Sequence, residues 1–86
     1  MDSYKIDWKA SAAKELKRLD RSVVPRITEA VAHLAADPFP SGYRKLKGSE
    51  HTYRIRVGDY RVVYEVTEGR FTLQIIRIRH RKDVYR

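Results

Sequence analysis

Residues 53–66 read Tyr53-Arg54-Ile55-Arg56-Val57-Gly58-Asp59-Tyr60-Arg61-Val62-Val63-Tyr64-Glu65-Val66, and this stretch decides the fold. Two strictly alternating runs flank Gly58-Asp59, a two-residue signal for a tight β-hairpin. With those two residues as the loop, Val57 pairs with Tyr60, Arg56 with Arg61, Ile55 with Val62 and Tyr53 with Tyr64. Side chains alternate across a strand, so Tyr53, Ile55, Val57, Tyr60, Val62 and Tyr64 share one face. Arg54, Arg56 and Arg61 share the other. Like charges directly opposite one another on a sheet cost a few tenths to about 1 kcal/mol. A hairpin that sets Arg56 across from Arg61 therefore repels itself unless an anion is held there.

Working outward, the apolar runs flanking this hairpin build a small α+β domain. Ser3–Trp8 alternates, with Tyr4, Ile6 and Trp8 on one side, and predicts a short strand. From about Lys9 to Leu19 the period changes: Ala12, Leu16 and Leu19 recur at helical spacing, with Ala13 beside them. Lys9 is a poor N-cap. Asp20-Arg21-Ser22 breaks the pattern. A second helix over about Ser22–Ala36 buries Ile27, Ala30, Val31 and Leu34, with Pro25 tolerated in its first turn. Asp37-Pro38-Phe39-Pro40-Ser41-Gly42 stops it. A basic loop, Tyr43 to Gly48, follows, with Leu46 as its apolar anchor. After the hairpin, Thr67-Glu68-Gly69-Arg70 predicts a second turn centred on Glu68-Gly69, and a third long strand over Phe71 to about Arg79 completes a meander.

That second turn would pair Val66 with Phe71, Tyr64 with Leu73 and Val62 with Ile75. The adjacent Ile75-Ile76 then breaks the alternation. A β-bulge there would return Ile76 and Ile78 to the core and turn Arg77, Arg79 and Arg81 toward the face of Arg54, Arg56 and Arg61. Without it Arg77 would point into the helices, at the cost of burying a charge. The predicted order is β-α-α-β-β-β: an antiparallel meander sheet with a two-helix hairpin on one face, and the other face open, twisted and cationic. Residues 1–86 read as a single domain.

Composition sharpens the functional reading. The net charge of +8 is uneven: residues 1–40 carry seven Lys/Arg against six Asp/Glu, residues 41–86 twelve against five. The basic excess thus belongs to the part that reads as sheet, and a polyanion is the expected partner. The absence of cysteine excludes a disulfide framework and thiol chemistry. Three scattered histidines argue against a structural zinc site. No apolar run is long enough to span a bilayer and no signal peptide opens the chain, so a cytoplasmic protein without membrane association is expected. His33 reads as a boundary or surface residue, and His51 as a loop residue.

Taken together, the opening strand and two helices, Lys45-Leu46-Lys47-Gly48, Tyr53-Arg54-Ile55-Arg56, Gly58-Asp59-Tyr60-Arg61-Val62-Val63-Tyr64 and His80-Arg81-Lys82-Asp83-Val84-Tyr85 resemble the RelE branch of the RelE/ParE toxin superfamily of bacterial and archaeal toxin–antitoxin pairs. The resemblance covers nearly the whole chain. It implies a ribosome-dependent endonuclease that cuts mRNA in the ribosomal A site, and a cognate antitoxin that neutralises it. Arg54 and Arg56 stand where familiar RelE members have lysines. Arg61 matches the arginine of the Gly-x-Tyr-Arg element, Arg81 a C-terminal arginine and Tyr85 the terminal tyrosine. Arginine at position 54 removes a plausible general base, because a guanidinium is effectively never deprotonated. The chain also stops at Arg86, without the C-terminal helix of some relatives.

The chemistry implied is metal-free RNA cleavage with no cofactor. The 2′-OH attacks the adjacent phosphate, the charged transition state is stabilised and the 5′-oxygen is protonated. Arg54, Arg56 and Arg61 are candidates for phosphate binding and transition-state stabilisation, with Lys45, Lys47, Arg77 and Arg79 extending the RNA surface. Arg61, His80, Arg81 and Tyr85 form the expected catalytic set. His80 adjoins the motif arginine and is read either as acid or base or as a helper orienting Tyr85 or phosphate. Tyr85 can stack on a splayed base, assist proton transfer, or pack the C-terminus. Two alternatives stand beside this: a ParE-like toxin acting on DNA gyrase without RNA cleavage, and a non-catalytic RNA-binding module. In either toxin reading the charge predicts an antitoxin with an acidic or amphipathic segment that covers the cationic face or displaces the C-terminus.

Overall fold

The computed structural model describes residues 3–84. Its first strand is β1 (Lys5–Trp8), followed by α1 (Ala10–Lys17) and α2 (Val24–Ala36). Then come β2 (Arg44–Lys45), β3 (Thr52–Val57), β4 (Tyr60–Thr67), a 3₁₀ turn (Glu68–Arg70), β5 (Thr72–His80) and a one-turn helix α3 (Arg81–Val84). The sheet order is β1-β5-β4-β3-β2. It is mixed rather than purely antiparallel, because β1 runs parallel to β5, with Ile6 opposite Leu73 and Trp8 opposite Ile75. The period-2 pattern of so short a strand carries no information about its direction.

The helices begin and end where backbone groups find local partners. Lys9 makes no side-chain cap for α1. Between the helices the Asp20 carboxylate accepts both the Ser22 amide and the Ser22 hydroxyl at 2.9 Å; these bonds, the amide's first, lower its pKa. This turn occupies Asp20–Val23, so α2 starts at Val24, with Pro25 in its opening turn where no N–H is required. At the far end the Asp37 carboxylate accepts the Phe39 amide at 3.0 Å.

One core joins both layers. Ala12, Ile27, Val31 and Leu34 from the helices cluster with Ile55, Val62, Tyr64, Val66, Leu73, Ile75 and Ile78 from the sheet. Tyr4, Trp8, Tyr60, Leu16 and Leu19 are half-buried against it. Tyr64 is fully buried, and its hydroxyl donates to the Pro38 carbonyl at 2.6 Å. That bond satisfies a phenol at the helix stop, and burial raises its pKa, with Asp37, Tyr43 and Tyr53 adding to the effect. Phe39, Tyr43 and Tyr53 extend the aromatic cluster around it, at centroid separations of 5.0 to 5.9 Å.

The first hairpin has the register read from the sequence: Val57 opposite Tyr60, Arg56 opposite Arg61, Ile55 opposite Val62 and Tyr53 opposite Tyr64. Gly58 takes φ +60° while Asp59 stays outside the positive region, as in a type II′ turn with glycine first.

The second turn differs. Glu68–Arg70 forms a 3₁₀ turn, and Phe71, not Gly69, takes the positive φ, +48°. Pairing therefore resumes with Thr67 opposite Thr72, Val66 opposite Leu73 and Tyr64 opposite Ile75. This is a slip of two residues from the expected register. An even slip preserves the side-chain phase, so Leu73 and Ile75 still face the helices. Phe71 is displaced from the apolar face: it is 51% exposed and packs on Tyr4 at 5.5 Å.

The bulge lies where the alternation breaks. Tyr64 is opposite Ile75 and Val63 opposite Arg77, leaving Ile76 unpaired between them. Ile78 is buried opposite Val62 as expected. Ile76 is half-buried and does not join the core cluster, because as the inserted residue it has no place in the inward-facing row. Beyond the end of β1 the edge of β5 is covered by Glu15 of α1. Its carboxylate accepts the Ile78 amide at 3.0 Å and pairs with Arg79.

Candidate functional site

Residues directly opposite in a ladder share a face, so the registers define two rows on the side of the sheet away from the helices. The first crosses all four antiparallel strands: Arg44, Arg54, Val63, Arg77. The second, toward the hairpin tip, is Arg56, Arg61, Arg79. Arg54 is half-buried. Its partial burial first, and then the charges of Arg61, Arg56 and Arg44, pull its pKa below the ordinary guanidinium value. It remains charged at neutral pH, so the mutual repulsion is real and an anion laid across the rows relieves it.

A pocket of about 250 Å³ opens at the tip, lined by Arg56, Gly58, Asp59, Tyr60, Arg61 and Arg81. Arg81 reaches it from the start of α3. Its amide donates to the Asp59 carbonyl at 2.7 Å, and its Nη1 lies 3.9 Å from Asp59 Oδ1. One backbone bond thus ties the C-terminal segment to the hairpin turn and brings three guanidiniums around one concavity.

The structure sorts the residues expected from the sequence. Arg54, Arg56, Arg61 and Arg77 lie on the common face, and Arg81 joins Arg56 and Arg61 at the pocket. Arg79 stands on the same face opposite Arg61, but its guanidinium is paired with Glu15. Lys45 is opposite Tyr53, on the helix side of the sheet, and exposed Lys47 lies past the end of β2. His80 is opposite Tyr60, in the residue phase opposite to the arginines. Its ring meets the Tyr60 ring at 5.0 Å and 90°, and its Nδ1 accepts the Lys82 amide at 3.1 Å. It does not line the pocket. His33 is exposed, 3.8 Å from Glu29, and His51 precedes β3 in a loop. Tyr85 lies outside the described residues.

Two residues at the site escape the sequence reading. Arg44 extends the first row because the basic loop contains a two-residue strand, and its only signal is a place in alternation with Leu46. Asp59 reads from the sequence as a turn residue alone; the folded hairpin makes it the one carboxylate that lines the pocket among the described residues. Among the described residues no group of three or more His, Cys, Asp or Glu is placed to hold a metal ion, and no helix is long and apolar enough to cross a membrane.

Comparison with known proteins assigns the family. Residues 6–85 match the family model described as the ParE toxin of the type II toxin–antitoxin system parDE. Toxin RelE of Mycobacterium tuberculosis (strain ATCC 25618 / H37Rv) is 33% identical over 84 residues, covering 96% of this chain and 87% of that protein. The chain belongs to the RelE family of type II toxins. Toxin RelG of the same organism is 27% identical, covering 96% of this toxin and 97% of its own length. Among solved structures, the archaeal RelE–RelB complex from Pyrococcus horikoshii OT3 contains a chain that superposes with a TM-score of 0.82 at 28% identity, over 92% of this toxin and 96% of that chain. The toxin therefore shares its fold with that relative.

Proposed function

We propose that this toxin is a ribosome-dependent mRNA endonuclease that cuts message in the A site by attack of a 2′-OH on the adjacent phosphate. The observation that carries the reading is the meeting of Arg56, Arg61 and Arg81 at one open pocket beside the row of Arg44, Arg54 and Arg77. Positioned guanidiniums bind a phosphate through planar forked donors and stabilise charge that grows in the transition state. In this scheme Arg61 and Arg81 flank the reacting phosphate, Arg56 and Arg54 hold the strand, and Tyr85 stacks on a base. His80 is a positioning residue: its bond to the Lys82 amide starts α3, which carries Arg81. An antitoxin with an acidic or amphipathic segment is the neutralising partner, by charge complementarity and by analogy with the RelB-bound relative.

Mapping the 5′ ends of messages after induction tests the reading. Cuts within codons that depend on translation are expected; intact messages would overturn it. The description of the matching family model favours a second reading, a ParE-like toxin acting on DNA gyrase. Growth arrest with uncut messages and blocked supercoiling would establish that one instead.

A further inference from the structure

RNA cleavage by a 2′-OH needs a proton acceptor, and the arginines cannot supply one because they stay protonated. Of the other described residues lining the pocket, Gly58 has no side chain and Tyr60 is half-buried against the core with its ring edge-on to His80. Asp59 remains. The histidines lie elsewhere. His80 is on the opposite residue phase with Nδ1 engaged by the Lys82 amide. His33 lines a neighbouring groove and sits beside Glu29. His51 lies beyond the other end of β3, beside Glu50.

We infer that Asp59 is the general base, an assignment that rests on the endonuclease reading above. Three features fit it for the task. Its side chain is 65% exposed and lines the pocket, so an RNA strand entering there can reach it. Arg81 Nη1 stands 3.9 Å from Oδ1, too far for a hydrogen bond, so that contact leaves the carboxylate lone pairs free to take a proton. The 2.7 Å bond from the Arg81 amide to the Asp59 carbonyl holds the base and the phosphate-binding arginine in one fixed relation. In the reaction the Asp59 carboxylate takes the 2′-hydroxyl proton as that oxygen bonds to phosphorus. The P–O5′ bond breaks with its electron pair on the 5′-oxygen, which takes a proton from water. The products are a 2′,3′-cyclic phosphate and a 5′-hydroxyl end, and Asp59 returns its proton to solvent.

The turn makes the test clean. Asp59 has an ordinary negative φ and only its main-chain carbonyl holds Arg81 by a hydrogen bond, so Asp59→Asn keeps the hairpin and removes the base. Asn is itself a favoured turn residue; Asp59→Ser is the second variant. With message programmed into ribosomes, single-turnover cleavage by Asp59→Asn should fall by about 10²- to 10⁴-fold, the range of a lost general base, with KM changed little. The acid limb of the wild-type rate profile should disappear with it. A variant that cuts at the parental rate, or more slowly with the acid limb intact, overturns the assignment and leaves the endonuclease reading standing. A wild-type toxin that leaves the message uncut overturns both.

Discussion

The His80 ring meets the Tyr60 ring edge-on at 5.0 Å, and the same imidazole accepts the Lys82 amide through Nδ1. One side chain thus couples the end of β5 to the first turn of α3 and to the strand that follows the hairpin turn. His80→Ala should lower cleavage by tenfold or more through misplaced Arg81, and His80→Asn, which keeps a short hydrogen-bond acceptor, should recover part of that loss. Equal losses in both variants would return His80 to an acid–base role. Single-turnover assays on programmed ribosomes decide between them.

Arg61 is opposite both Arg56 and Arg79, and with Arg79 paired to Glu15 the guanidiniums that line the pocket are those of Arg56, Arg61 and Arg81. Arg61→Ala should reduce the cleavage rate about 10²- to 10³-fold, in the range of a lost transition-state donor. A change of less than twofold would place the reacting phosphate elsewhere.

Arg44 lies opposite Arg54 in the same row and should contact the strand without touching the chemistry. Arg44→Ala should weaken RNA binding evenly across sequences. It should also flatten the plot of log affinity against log salt by about 0.7 for a single-stranded ligand. Lys45→Ala, on the other side of the sheet, should leave that slope unchanged. Affinity titrations between low and physiological salt measure both.

Tyr64→Phe should cost about 1–3 kcal/mol, because it strands the Pro38 carbonyl in a buried site. The wild-type phenol also predicts a pH response. Burial raises its pKa in the folded state, so the folded protein keeps the proton where the unfolded chain begins to lose it, near pH 10. The Tyr64 contribution is therefore complete below that pH and is lost as pH rises above it. Denaturant titrations at pH 8 and pH 11 should show a steeper alkaline decline in the wild type than in Tyr64→Phe.

Gly58→Ala separates two constraints at the hairpin tip. A Cβ there would stand 3.1 Å from Arg26 Nη2, and the residue would hold a positive φ. The guanidinium is the far end of a flexible side chain and can shift, whereas the left-handed backbone costs roughly 1–2 kcal/mol for an L-residue. The variant should lose about that much stability, and adding Arg26→Ala should restore little of it. A rescue of most of the loss would mean that crowding against Arg26, rather than the backbone conformation, is what makes position 58 a glycine.

Local periodicity determined the elements that depend on it. The two helices, the Gly58-Asp59 hairpin with its register, and the bulge at Ile75-Ile76 are all legible, because alternation and helical spacing are written residue by residue. The arginine face follows from the same alternation. What the sequence could not carry is whatever depends on contact between distant segments. Phe71 rather than Gly69 takes the positive φ, and the resulting two-residue slip depends on how β5 docks. The parallel direction of β1 depends on where the helices return the chain. Glu15 reaches Arg79 across 64 residues and removes it from the free cationic surface. His80 and Arg61 sit on adjacent rungs of paired strands and so point to opposite faces of the sheet; belonging to one motif did not bring their side chains together. Asp59, written into the sequence as a turn residue, became part of a pocket only when the Arg81 amide closed on its carbonyl, a tertiary bond that no spacing along the chain announces.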